Sequence, residues 1–276
     1  MLGLGIGGVK DEYKRKATFP IKSDSSIQNT KGFVFDGTGD LLSVADHDDF
    51  SFNTPVNGLE DSPFSFSCWV KRDAVSGNEA LFSKAGASGQ AHFEYRIFFV
   101  GAKLFCDIYD LNSAHYSRAS SVGNISTTDW QHLTITFDGS MDDPADTHVN
   151  GFRAYLNGTL LTLASGAGGT PGDMENLDGV FKVGAMDVVS YEFDGKMMQV
   201  MMFKYKLTQS DVNYLYAGGT AARNPTIETT SYGAASYLIA WWPLDDANGH
   251  EDHSLNSHDF TKNGGVDLDS SGDTPF

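Results

Sequence analysis

The chain has 276 residues and a formal net charge of −17, from 36 acidic and 19 basic residues. This balance argues against binding to a phosphate backbone or to an anionic membrane surface, because both need clustered Lys and Arg. The hydrophobic content of 40% supports a sizeable core. We therefore expect one folded domain with extensions, without a nucleic-acid or membrane partner.

Residues 1–30 show neither the period of a strand nor that of a helix, so this segment cannot fold alone. We predict an extended arm that docks on a neighbour through a few apolar anchors. These anchors are Leu2, Leu4, Ile6, Phe19 and Ile21. The apolar start, Met1 to Gly8, is too short for a signal-peptide core and has no preceding basic region, so we expect no signal peptide.

Short segments of alternating polarity begin at Lys31 and predict strands. The predicted strands are 32–35, 40–44, 64–70, 80–84, 95–100, 103–109, 130–137, the hairpin 153–161, 180–184 and 196–205. In the strand 64–70 the alternation places Cys68 on the core face and Trp69 on the opposite face. Cys68 and Cys106 both lie in strand patterns, which indicates buried small apolar side chains rather than a disulfide framework.

After the strands, Thr208 to Tyr216 predicts a single helix, with Thr208 as N-cap and Gly218-Gly219 as the stop. One further strand is expected at 237–244, and the last thirty residues are polar. We expect three segments: the arm 1–30, a β-domain 31–222, and a C-terminal strand and polar loop extension 223–276.

Several phrases resemble the laminin-G-like jelly rolls of the concanavalin A-like lectin/glucanase fold. They are Phe35-Asp-Gly-Thr-Gly-Asp-Leu-Leu-Ser-Val44, Phe66-Ser-Cys-Trp-Val-Lys71, Trp130-Gln-His-Leu-Thr-Ile-Thr-Phe-Asp138, Tyr155-Leu-Asn-Gly158 and Phe193-Asp-Gly195. The resemblance covers about residues 31–217. It implies an all-β fold, an antiparallel two-sheet jelly-roll sandwich, here with the N-terminal arm and the C-terminal extension.

In the family the closing strand usually carries an acidic residue near a calcium site, but Met197 and Met198 stand there in this chain. Asp36 and Asp40 remain candidate oxygen ligands for calcium. The alternative is that Asp36 and Asp194 cap Asp-Gly turns.

The phrase Trp241-Trp-Pro-Leu-Asp245 resembles a strand that commonly precedes such domains, yet here it follows the domain. We expect it to return to its own sheet, as in a circular permutation. The alternative is that it adds to the sheet edge of a neighbouring subunit.

No catalytic residues are predicted. Glucanases of this fold use Glu-x-Asp-x-x-Glu on one strand face, and the nearest match, Glu192-Phe-Asp-Gly-Lys-Met197, lacks the last carboxylate. The spacing of His250, His253 and His258 matches no zinc motif and favours a solvated loop. Trp69, Trp130, Trp241 and Trp242 are platforms for sugar rings only where they are exposed, and strand aromatics usually serve packing.

The sequence and the resemblance lead to two hypotheses about the function. The first is a non-enzymatic virion structural protein of a tailed phage, in the capsid or in a tail or fibre, as the resemblance and the glycine-rich start imply. It would assemble with other virion proteins or with copies of itself through the arm, as a homo-oligomer, and glycan binding is compatible with this role. The alternative is a secreted or surface carbohydrate-binding lectin module assisted by calcium.

Overall fold

The computed structural model describes residues 26–27, 31–53, 61–86, 93–110, 115–140, 149–168, 172–186, 191–246 and 248–276. These residues form eighteen short strands and one α-helix, α1 (Gln209–Tyr216). The strands are β1 Ser26–Ile27, β2 Phe33–Asp36, β3 Leu41–Val44, β4 Phe64–Arg72, β5 Asn78–Ala85, β6 Phe93–Val100, β7 Lys103–Asp110, β8 His115–Ser121, β9 Gln131–Phe137, β10 Phe152–Leu156, β11 Thr159–Leu160, β12 Leu163–Gly168, β13 Phe181–Val183, β14 Asp194–Phe203, β15 Ala222–Arg223, β16 Leu238–Trp242, β17 Thr261–Asn263 and β18 Asp267–Leu268. Among the described residues no helix is long and apolar enough to cross a membrane.

Sixteen of these strands form two antiparallel sheets of eight strands each, which confirms the expected jelly-roll sandwich, and β1 and β15 form a separate pair. Sheet I has the order β11-β10-β9-β4-β14-β2-β18, with β16 also paired to β14. Sheet II has the order β12-β8-β7-β6-β5-β13-β3-β17. Each sheet therefore joins strands from both ends of the chain, since β17 and β18 close the outer side of β3 and β2.

On one of its two sides, strand β14 of sheet I pairs with two different strands. Residues 194–197 of β14 pair with β2, whereas residues 200–203 pair with β16. Gln199 lies at the change with a φ of 53°, and its side-chain Oε1 accepts a hydrogen bond of 2.9 Å from Trp241 Nε1. The Trp241-Trp242 strand thus completes a sheet of its own chain.

The main core lies between the sheets and follows the predicted alternation. Phe64, Phe66, Cys68 and Val70 of β4 point into it, whereas Trp69 packs outside. Both cysteines are buried and unpaired, as predicted. Because side chains alternate between the two faces of a strand, each strand buries the apolar side chains of one face against the facing sheet.

A second apolar cluster covers the outer face of sheet I. Val212 and Leu215 of α1 pack there with Phe203 and Trp241. The helix starts as predicted, because Thr208 and Asp211 form a reciprocal capping box. The helix ends at Tyr216, and its left-handed C-cap is Ala217, with a φ of 52°, one residue before the glycine pair.

Candidate functional site

A row of three charged side chains crosses the outer face of sheet II. Arg96 of β6 lies opposite Asp107 of β7, and Asp107 lies opposite Arg118 of β8. Directly opposed residues of antiparallel strands point to the same side of a sheet, so the three side chains form one line across three strands.

The Asp107 carboxylate is shared by the two guanidinium groups. Arg96 Nε donates to Oδ2 at 2.8 Å, while Arg118 donates through Nε to Oδ1 at 2.6 Å and through Nη2 to Oδ2 at 2.7 Å. The Asp107 side chain is fully buried, but those of Arg96 and Arg118 remain 16% and 25% exposed. Two cations against one anion leave this spot positive on a strongly acidic protein.

The hydrogen bonds that Arg118 donates to Asp107 are the largest influence on Arg118 and raise the pKa of its guanidinium, against the opposing effect of burial. Arg118 therefore keeps its charge at every physiological pH. Guanidinium groups that already share one carboxylate still carry further N–H donors, since each Arg has five. The row can thus pair with a second anion from solution.

Aromatic rings flank the charged row on both sides. Phe98 and Phe105 are stacked with ring centroids 5.4 Å apart, and Tyr109 and Tyr116 lie 5.6 Å apart. The Arg96 guanidinium lies 4.9 Å from the Phe98 centroid and 5.0 Å from that of Tyr109. Cation–π contacts of this kind hold the guanidinium planes against the rings.

We call this set the arginine–aromatic surface. It consists of Phe93, Arg96, Phe98, Phe105, Asp107, Tyr109, Tyr116 and Arg118. Phe105, Tyr109 and Tyr116 are half-buried, so parts of their rings face outward, whereas Phe93 and Phe98 are buried beneath the surface. Burial raises the pKa of Tyr109 to about 12, which keeps its hydroxyl neutral and able to donate a hydrogen bond.

The arginine–aromatic surface was not predicted from the sequence, although two of its three strands were. The predicted strands 95–100 and 103–109 are joined by a two-residue turn, which pairs Arg96 with Asp107 and Phe98 with Phe105. The third strand, β8, has the sequence His115-Tyr-Ser-Arg-Ala-Ser-Ser121, which contains few apolar residues and gave no strand signal. Arg118 was therefore not placed beside its partner.

The predicted calcium ligands Asp36 and Asp40 lie at the turn between β2 and β3. The buried Asp40 carboxylate accepts hydrogen bonds from the backbone N–H groups of Asp36, at 2.9 Å, and of Gly265. Asp36 Oδ1 accepts from Thr38 N at 2.8 Å. The contact of Asp36 with Thr38 N supports the alternative of a turn cap for Asp36, and calcium binding by Asp36 and Asp40 stays a prediction.

Asp194 lies opposite Asp36 in the strand register. Burial, followed by the charges of Asp73 and Asp36, raises the pKa of the Asp194 carboxyl. Backbone pairing thus brings Asp194 and Asp36 together at one end of sheet I. No role in catalysis follows from this proximity.

The predicted arm anchors Leu2, Leu4, Ile6, Phe19 and Ile21 lie outside the described residues. The described end of that segment, β1, pairs with β15, so that Ile27 lies opposite Ala222. Ile27 also packs against the apolar cluster beneath α1. The segment before Lys31 therefore contacts its own chain at this point.

Three of the four tryptophans serve packing. Trp69, Trp241 and Trp242 are buried, and Trp242 stacks on Phe260 with centroids 3.9 Å apart. Trp130 is half-buried, and its Nε1 donates to Asp273 Oδ1 at 3.1 Å. None of them belongs to the arginine–aromatic surface.

The expectation of a solvated histidine loop is wrong for His258. Its ring is buried against Phe50, with centroids 4.8 Å apart, and its Nε2 lies 2.9 Å from Asp49 Oδ2. The loop is drawn inward because its neighbours Trp242 and Phe260 belong to the core. The sequence spacing of the three histidines could not show this, since the partner residues lie in another loop.

Comparison with known families agrees with this architecture. Residues 36–213 match a family of the laminin G type, described as the concanavalin A-like lectin/glucanases superfamily. The chain belongs to this family. No curated protein sequence matches it significantly.

Two solved structures share the fold at low sequence identity. One is a candidate carbohydrate-binding protein from Bacteroides ovatus, with a TM-score of 0.52 and 16% identity over 88% of this chain. This chain spans 60% of the length of that protein. The other is a heptameric SAP-like pentraxin from Limulus polyphemus, with a TM-score of 0.51 and 12% identity, covering 88% of this chain and 96% of the pentraxin chain.

Proposed function

We propose that this protein is a non-catalytic carbohydrate-binding domain whose arginine–aromatic surface binds an acidic saccharide. The observation that carries the proposal is the row Arg96–Asp107–Arg118, set between aromatic rings on an outer sheet face. Arginine pairs with carboxylates and sulfates in a planar, two-point geometry. The half-buried rings of Phe105, Tyr109 and Tyr116 offer apolar faces to the C–H groups of a sugar.

The charge distribution supports an anionic ligand rather than a neutral one. The chain carries a net charge of −17, so its surface repels anions in general. The two guanidinium groups around one carboxylate make a local exception, and their partial burial strengthens the pairing with an anion. One relative of the same fold is itself described as a candidate carbohydrate-binding protein.

Titration calorimetry with matched acidic and neutral oligosaccharides tests the proposal. We expect the full chain to bind a uronate-, sialate- or sulfate-bearing oligosaccharide and to bind its neutral counterpart at least about tenfold more weakly, the loss expected when one charged hydrogen-bonded pair is removed. Arg118→Gln should lose this preference. Arg118→Lys should recover it only in part, because Lys keeps the charge but not the planar fork.

Lys204→Gln is the matched control, since Lys204 is exposed and follows the last residue of β14 in sheet I. It removes one positive charge without touching the arginine–aromatic surface. Equal binding by wild type and Arg118→Gln, with circular dichroism showing both folded, would contradict the proposal. So would an Arg118→Gln defect that Lys204→Gln reproduces.

We also propose that the protein is a virion component of a tailed phage, anchored by residues 1–30. The sequence of the arm supports this proposal, and a measurement of oligomer formation tests it. Light scattering should compare the full chain with a version that begins at Ser26, which keeps the β1–β15 pair. An oligomer that only the full chain forms would support the arm, and two identical monomers would remove this role.

A further inference from the structure

We propose that His47, Asp49 and His258 form a binding site for one divalent transition metal ion of the zinc class. The site is separate from the arginine–aromatic surface, so it is independent of the proposed function. Each of the three residues offers a ligand atom, and these atoms all lie within 4.8 Å of one another. His258 stands more than two hundred positions after the other two in the sequence.

Two of the three distances between ligand atoms are close to those that a tetrahedral ion requires, and all three are within 4.8 Å. His258 Nε2 lies 2.9 Å from Asp49 Oδ2, and His47 Nδ1 lies 3.3 Å from the same oxygen. Zinc holds nitrogen and oxygen ligands at about 2.0–2.1 Å, so two ligands of a tetrahedral ion lie about 3.3 Å apart. Small side-chain movements are therefore enough to admit the ion.

The loop that carries Asp49 is fixed from several sides. Asp49 lies in a 3₁₀ turn over Asp48–Phe50, after β3. Asn176 Nδ2 donates to Asp48 Oδ1 at 2.9 Å, and the Tyr95 hydroxyl donates to the Phe50 carbonyl at 2.9 Å. The turn is thus held before any ion arrives.

The backbone on both sides of the His258 ring is also fixed. His258 N donates to Asp252 Oδ2 at 3.0 Å, and Trp242 Nε1 donates to the His258 carbonyl at 2.7 Å. A ligand held by its neighbours in this way loses less entropy when it binds metal, which is the usual role of outer-sphere contacts.

The ligand types select the kind of metal. Two imidazoles and one carboxylate suit zinc and its neighbours, whereas calcium and magnesium prefer oxygen alone. The buried side of the site is apolar, because the ring of the fully buried Phe50 lies 4.8 Å from that of His258. The His47 side chain is 53% exposed, so the fourth position of the ion faces water.

One existing contact must yield for the ion to bind through His47 Nδ1. That atom accepts a hydrogen bond of 3.1 Å from Asp49 N. Loss of this hydrogen bond affects only the His47 ring, because the ring is exposed. If the ring rotates, it presents Nε2 to the ion instead of Nδ1. In either arrangement the ion would fasten the loop around His258 to the turn after β3.

Zinc titration of the chelator-treated full chain tests the site. We expect one zinc ion per chain by calorimetry, and a rise in Tm of roughly 3–8 °C at zinc well above Kd. His47→Gln should weaken zinc binding by about tenfold or more, since it removes a ligand from an exposed position. Cobalt in place of zinc should give a visible spectrum typical of four-coordination, and this spectrum should also be lost in His47→Gln.

His253→Gln is the matched control, because His253 lies in the same loop, is exposed and stands outside the site. His258→Gln removes a buried ligand, and its fold is checked first because the ring packs on Phe50. His47→Gln keeps the test decisive if His258→Gln does not fold. No saturable zinc binding, equal binding by His47→Gln, or an equal loss in His253→Gln would each overturn the proposal.

Discussion

Lys84 Nζ lies 2.6 Å from Glu94 Oε1, and both side chains are fully buried. The ammonium group also donates to Asp46 Oδ1 at 2.8 Å and to the Leu177 carbonyl at 2.6 Å. A buried charge is tolerated only when it is paired and hydrogen-bonded. This pair ties β5 and β6 to the loops that follow β3 and precede β13.

We predict that Lys84→Met destabilises the protein by about 3–5 kcal/mol, because it leaves the Glu94 carboxylate buried without a cation. Glu94 Oε2 already has no hydrogen-bond partner, and burial raises the pKa of this carboxyl. Urea unfolding of the variant measures the loss.

The double variant Lys84→Met with Glu94→Gln is the control for this prediction. Gln keeps an acceptor for Leu177 N, which now donates to Glu94 Oε1 at 2.9 Å, and it needs no counter-charge. The double variant should therefore be more stable than Lys84→Met alone. Equal stability of the two would show that lost packing, rather than an unpaired charge, causes the effect.

The second prediction concerns a glycine in close contact with a neighbouring strand. A Cβ added at Gly179 would lie 1.1 Å from the carbonyl oxygen of Ala85, so the backbone would have to move. We expect Gly179→Ala to cost about 3 kcal/mol, at the upper end of the cost of overpacking.

Gly123→Ala is the matched control, because nothing lies within 4 Å of an added Cβ there. This substitution should be neutral or stabilise slightly, by about 0.4–1 kcal/mol, through the unfolded chain. Thermal unfolding of both variants shows whether the loss of stability comes from a steric clash at Gly179 or from any Gly-to-Ala substitution. Similar Tm values for the two would contradict the close approach of Gly179 to the Ala85 carbonyl.

Features determined by local sequence were predictable. The Asn157-Gly158 turn has φ values of 49° and 75°, as a two-residue hairpin of this type requires. The capping box of Thr208 and Asp211 was likewise visible in the sequence. In both cases a few adjacent residues specify the backbone conformation, so no distant contact is needed to infer it.

Features that depend on pairing between distant segments were not predictable. For Trp241-Trp242 the sequence favoured a return to its own sheet but left a neighbour's sheet open, and pairing with residues 200–203 of β14 confirms the first. His258 meets Asp49 only because two loops converge at one end of the sandwich. The short strands β17 and β18 carry too little alternation to be seen in sequence, although their partners β3 and β2 define them.

The third prediction is a pH dependence centred on Asp61. Asp61 is only 5% exposed, its Oδ1 accepts a hydrogen bond from Met174 N at 3.0 Å, and its Oδ2 has no hydrogen-bond partner. Burial raises its pKa to about 7, and the charges of Asp173, Glu175 and Asp110 add to the shift. In the unfolded chain the same group ionises near pH 4.

Between about pH 4 and pH 7 the folded state therefore keeps a proton that the unfolded state has lost. Stability falls as pH rises through this window, by up to about 4 kcal/mol for a shift of roughly three pH units, and levels off above it. Asp61→Asn removes the titration and keeps a side-chain acceptor for Met174 N. Its unfolding free energy should fall less between pH 4.5 and pH 8 than that of wild type.

The difference between the two pH profiles is the quantity to measure, because a buried amide carries a constant cost of its own. Urea unfolding at pH 4.5, 6 and 8 gives both profiles, and Asp129→Asn, at an exposed position, should leave the wild-type profile unchanged. Parallel profiles for wild type and Asp61→Asn would mean that Asp61 ionises at its ordinary pKa in the folded protein. A gap that widens steadily up to pH 7 and then stays constant would identify Asp61 as a carboxyl that the fold keeps protonated.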